Sequence, residues 1–248
     1  MGQEYVNTGN KPLASLEYPG YGPVVTKENW NTTDLPMQVA IPNSNQRAGY
    51  LGVKYAPLNT GSTPQKGQPF TVRGVALQQG LTLTEVEKRQ GLLKDLDRTF
   101  ESRQVENQLL DGLDQFGQQA HAMITSRRAR EAFDISKESP AFAAKFGDSP
   151  FGQSCLLATR LVEAGVSFVE VVHRGWDDHN GAARPIAARA PWMDAGMSAL
   201  IRDLKVRGML EDTLVVWMGE FGRTPGDGNG HFCTAWSSVL AGGGLKTG

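Results

Sequence analysis

The sequence predicts an α/β fold: a mainly parallel sheet sandwiched by helices, joined to a helical segment and a loop-rich N-terminal region. Three observations predict it. Leu214–Val–Val–Trp–Met218 is an uninterrupted apolar run bounded by turn residues, the pattern of a parallel strand covered on both faces. Val166–Ser–Phe–Val–Glu–Val–Val172 is β-branched and aromatic, which marks a second strand. Between the two, Met193, Met197, Leu200, Ile201 and Leu204 share one face of a helix over about 191–207, and Gly208 ends it. Strand–helix–strand implies a parallel pair with a right-handed crossover. The loops after Val172 and Met218 are therefore expected on one rim of a shared sheet, where open α/β sheets place their chemistry.

The elements follow in order. Residues 1–80 are rich in Gly, Pro, Asn and Thr and read as loop on a larger body. Within them Leu35–Pro–Met–Gln–Val–Ala–Ile41 is a short strand that Pro42 and Asn43 end. Residues 84–148 read as a mostly helical insertion. Thr84-x-x-Glu87 is a capping box, and two apolar series follow, through Val86, Leu93, Leu96 and Phe100, then Val105 to Ile124. Residues 149–248 form the strand–helix–strand core. Ser149 and Pro150 cap and open a helix through Cys155, Leu156, Leu157, Leu161 and Val162 to Gly165. Val239–Leu–Ala–Gly–Gly–Gly244 reads as a strand entering a loop, so the 248 residues are expected to be a fragment of a longer protein.

Composition narrows the function. The chain is 40% hydrophobic and 21% charged with a net charge of −1, an ordinary soluble profile. No basic stripe favours nucleic acid, and the cluster Arg127, Arg128 and Arg130 fits an exposed helix face. No run approaches the roughly 20 apolar residues of a membrane span, and no signal peptide follows Met1. Cys155 and Cys233 are too few for a disulfide framework; Cys155 reads as a small core residue, and a single bridge between them stays open.

The two expected rim loops hold three of the four histidines, with Asp177, Asp178, Glu220, Asp227 and Arg223. Carboxylates and imidazoles converging there suit one or two divalent cations such as Zn²⁺, Mn²⁺ or Mg²⁺. Arg223 offers a planar fork for a tetrahedral oxyanion. Each residue also has a plainer reading. Asp177 and Asp178 suit turn capping, Glu220 with Arg223 suits a loop salt bridge, and His173 suits packing at a strand end. His231 is a lone loop histidine, raised to a candidate only by convergence with the other loop. Trp176, Trp217 and Trp236 read as core or pocket wall.

The loop Gly219–Glu–Phe–Gly–Arg–Thr–Pro225 resembles the signature of the domain-of-unknown-function 1501 family. So do Leu156–Leu–Ala–Thr–Arg–Leu–Val–Glu–Ala–Gly165, Gly175–Trp–Asp–Asp–His179, Leu200–Ile–Arg–Asp–Leu–Lys205 and Leu240–Ala–Gly–Gly–Gly244. That family is similar to the alkaline phosphatase superfamily, which includes sulfatases. The resemblance implies an alkaline phosphatase-like sandwich with metal at the strand ends, held here by Asp177, Asp178, His179, Glu220 and His231. Phe221 stands where those relatives carry a histidine. The strand that brings their nucleophile is absent from the sequence, as is the twin-arginine signal that accompanies export to the periplasm or cell surface. Two functions are in contention. One is metal-dependent hydrolysis of a small-molecule or saccharide phosphate or sulfate ester, with Arg223 as oxyanion contact. The other is a non-catalytic binding or surface protein that keeps the fold.

Overall fold

The computed structural model describes residues 2–29, 34–72, 74, 75, 84, 85, 88, 91 and 121–246. It is a mixed α/β structure built on a small parallel sheet. The central strand β1, Gln38–Ile41, pairs on one side with β2, Leu58–Asn59, and on the other with β3, Phe168–Val171. All four β1 residues are buried, as expected of a strand covered on both faces. Alternation sends Val39, Ile41, Val169 and Val171 into the main core. Gln38 lies on the opposite face against helix α1, Tyr21–Glu28, close enough that a side chain at Gly22 would strike its amide.

The core's centre is helix α2, Pro150–Glu163. Ser149 Oγ accepts from Gly152 N at 3.1 Å, Pro150 occupies the first turn, and Gly165 leaves the helix at φ +101°, as the sequence predicts. Every residue from Phe151 to Thr159 is buried, so the helix is covered around most of its circumference. Helix α3, Ala183–Val206, crosses it at Gly196, where a Cβ would sit 3.0 Å from the Phe151 ring and 3.2 Å from Gly152 Cα. The short helix Arg127–Phe133 covers another side through Ala129, Ala132 and Phe133. It is capped by Ser126 Oγ, which accepts from Ala129 N at 3.0 Å. Arg160 ties these layers together, pairing with Glu138 and donating to the Glu131 carbonyl at 2.5 Å.

Three expectations change. The α3 helix begins at Ala183 rather than near Pro191, and Pro191 lies inside it. Proline is favoured at a first turn, and here Pro185 sits in that turn while Pro191 costs one interior hydrogen bond. The second change concerns β4, Leu214–Met218. It does not join β3; among the described residues it pairs antiparallel with β5, Ser238–Gly242, with Val216 opposite Leu240. The third is burial: Leu214, Val216 and Trp217 are exposed, as are Val239 and Leu240 opposite. A short apolar run reads alike for a buried parallel strand and for a two-stranded ribbon, because periodicity does not name the partner. The sheet is thus parallel over three strands, with β4 in a separate ribbon. The helical insertion expected over 84–148 falls partly outside the described residues; residues 84, 85, 88, 91 and 121–125 are helical, as is Arg127–Phe133.

Candidate functional site

The loops after β3 and β4 do meet, though no shared sheet rim brings them together. Arg223 makes the junction. Its guanidinium donates to the Asp178 carbonyl at 2.5 Å and to the Trp176 carbonyl, and lies 3.7 Å from Asp177 Oδ1. A guanidinium presents several fixed donors, so one side chain can hold two carbonyls of a facing loop. Arg223 is itself fixed by backbone: Gly222–Arg223 pairs antiparallel with His231–Phe232, with Arg223 opposite His231. A Cβ at Gly222 would overlap the Ala235 carbonyl oxygen, which explains the glycine. Clamp and His231 are therefore neighbours by register.

Residues 224–230 form the connecting turn. Thr224 N donates to the Gly230 carbonyl and Gly230 N to Thr224 Oγ1, both at 3.0 Å. Asp227 accepts from Asn229 N at 3.0 Å, and that bond is the main reason its carboxyl is held below its usual range. Asp227 thus serves the turn.

His231 Nε2 stands 2.8 Å from Asp177 Oδ1, and His179 Nδ1 is 3.7 Å from the same oxygen. One ligand atom from each of Asp177, His179 and His231 lies within 4.8 Å of the other two. All three residues are exposed. The hydrogen bond from His231 is the largest influence holding the Asp177 carboxyl down, and His179 and Arg223 act in the same direction. The His231 ring stacks on Phe221 at 3.8 Å between centroids, with the rings 26° apart. Phe221 is the platform for the imidazole in this sequence.

The remaining candidates lie as follows. Asp178 is outside the triad and pairs with Arg189 through both carboxylate oxygens, at 2.6 and 3.3 Å. Glu220 is outside the triad, with its carbonyl beside the start of the helix Gly2–Thr8. Arg223 is paired with Asp177 and not with Glu220. His173 packs at the strand end, stacked on Phe151 at 4.5 Å and edge-on to Trp176 at 5.2 Å. Its Nδ1 is buried without a partner, and burial lowers its pKa. Cys155 is a buried free thiol pushed up to about 12, and Cys233 is a free thiol at the surface, so the two do not bridge. Arg189 and the stacking role of Phe221 carried no sequence signal, since neither belongs to a spaced pattern.

The donor set, two imidazoles and one carboxylate, suits Zn²⁺ and is compatible with other divalent ions. Ligands about 2.0–2.1 Å from a tetrahedral ion stand roughly 3.4 Å apart. The observed spacings straddle that value, so small side-chain rotations would admit an ion once the 2.8 Å Asp177–His231 hydrogen bond opens. No helix among the described residues is long and apolar enough to cross a membrane. The sequence profile of one family, described as Protein of unknown function (DUF1501), matches residues 1–248. No curated protein and no solved structure matches the chain.

Proposed function

The chain belongs to the DUF1501 family of proteins of unknown function, and from that premise we propose a divalent-metal-dependent hydrolase of phosphate or sulfate esters, centred on Asp177, His179 and His231. One observation carries the reading. Three metal-compatible side chains from loops some fifty residues apart converge within 4.8 Å at the surface. A cation held there would act as a Lewis acid toward a phosphoryl or sulfuryl oxygen. Asp177 supplies the negative charge, while His179 and His231 supply imidazole nitrogens. Arg223 positions Asp177 from behind by gripping the Trp176 and Asp178 carbonyls. An alkaline phosphatase-like fold belongs to the same reading; Asp178, paired with Arg189, and Glu220, outside the triad, are left out of the metal centre proposed.

The test is hydrolysis of phenyl phosphate and phenyl sulfate by the chain with Zn²⁺, Mn²⁺ or Mg²⁺. Cation-dependent turnover that disappears in Asp177→Asn is expected. The second reading is a non-catalytic binding protein that keeps the fold. It is favoured by the commitment of Arg223 to backbone carbonyls and of Asp178 to Arg189. Cation binding without turnover on any ester would select it.

A further inference from the structure

A pocket of about 290 Å³ opens beside the same loop, lined chiefly by Pro42, Phe151, Val172, His173, Arg174 and Trp192. We infer that this pocket binds an aromatic ring carrying an anionic group, the ring against Trp192 and the His173–Phe151 stack and the anion on Arg174. Its walls decide the chemistry. Phe151 and His173 lie nearly parallel, 22° apart, and Trp192 is 48% exposed. Pro42 and Pro150 at the rim have no N–H to offer. The Ser154 hydroxyl already donates to the Pro150 carbonyl at 2.7 Å. A flat apolar ring finds three rings and two prolines here.

Arg174 supplies the charge. Its guanidinium is exposed and forms no ion pair among the described residues; its hydrogen bond there is a long one, 3.3 Å to Asn45 Oδ1. Glu170, the acid on the preceding strand, is engaged by the Ser44 hydroxyl, and the Arg174 charge acts on it without an ion pair. The fork is therefore available to a carboxylate, phosphonate or sulfonate.

The pocket also bears on the substrate class, and that part rests on the metal-centre reading. Arg174 and Asp177 are three residues apart, so their Cα atoms are separated by at most about 11 Å. An aryl phosphate or sulfate ester is the substrate class that would engage both the pocket and the proposed metal centre.

Calorimetry on the full 248-residue chain without added metal separates the two ideas. Phenylphosphonate is expected to bind wild type and His231→Ala alike, and methylphosphonate at least about tenfold more weakly. Trp192→Ala and Arg174→Ala, both surface changes, are each expected to weaken phenylphosphonate by about tenfold or more. Equal binding of methylphosphonate, or phenylphosphonate binding indifferent to both pocket substitutions, overturns the pocket assignment. Absence of phenylphosphonate binding overturns it too. Loss of Zn²⁺ binding in His231→Ala with phenylphosphonate binding intact supports the pocket independently of the metal.

Discussion

His231 Nε2 lies 2.8 Å from Asp177 Oδ1, joining two loops whose parent strands do not pair with each other. That hydrogen bond is the main cause of the lowered Asp177 pKa. A depressed carboxyl contributes stability that is present above its usual value of 3.8 and lost as pH falls through the lower folded value. His231→Ala should move the Asp177 carboxyl back toward its ordinary range. An NMR titration of the Asp177 side-chain carboxyl reads this directly, and an unmoved titration would mean that His179 and Arg223 suffice to hold it.

Arg223→Lys should weaken the junction although it keeps the charge. An ammonium cannot span the Trp176 and Asp178 carbonyls as the planar fork does. With the side chain only 22% exposed, the loss of charged hydrogen bonds is worth about 1.5–3 kcal/mol. Cation affinity should fall roughly tenfold, as for other residues that orient a ligand without touching the ion. Urea unfolding and a metal titration of the variant check the two effects separately.

Gly152→Ala should be far more damaging than Gly219→Ala. A Cβ at Gly152 would overlap the Phe146 carbonyl oxygen, a backbone atom that cannot rotate away, at the point where α2 and α3 cross. Overpacking of this kind costs about 1–3 kcal/mol, occasionally more. Gly219 has open space around the same position and no left-handed φ, so the change there should stay within about 0.5 kcal/mol. Thermal melts of the pair give the contrast.

Glu170→Gln should flatten the stability profile above pH 4.5. Burial raises the Glu170 carboxyl above its usual 4.5, against the pull of hydrogen bonds from Ser44, Asn45 and Gln46. The folded chain then holds a proton that the unfolded chain releases, so stability declines as pH rises from 4.5 toward the higher folded value. Glutamine keeps an acceptor for Ser44 and has nothing to ionise. Melting temperatures between pH 4 and 8 should fall for the parent chain and change less for the variant.

Much of this was legible before any coordinates. Ser149, Pro150 and Gly165 bound their helix because caps are local chemistry, settled within one turn. The strand at Gln38–Ile41 likewise followed from its apolar residues and the proline after it. The partner of β4 was not legible. An apolar run states that a strand wants cover, not which strand gives it, and here Ser238–Gly242 does so in an exposed ribbon. At the site, loop convergence was inferred from a parallel rim, whereas the structure achieves it through Arg223 and a two-residue ladder. The triad members Asp177, His179 and His231 stood out because histidine is sparse, four in the chain, and both residue types are chemically loaded. Asp178 and Glu220 looked equivalent to them in the sequence. Their separation depends on Arg189 and on backbone direction, which no spacing encodes.

The measurement closest to the central claim is a calorimetric titration of the chain with Zn²⁺. One saturable cation is predicted, with affinity falling at least about a hundredfold in Asp177→Asn, His179→Ala and His231→Ala, since even residues that merely orient a ligand cost 10–100-fold. Glu220→Gln should bind as the parent does. Absence of saturable binding, or a His231→Ala chain that binds Zn²⁺ as tightly as the parent, would contradict the metal centre.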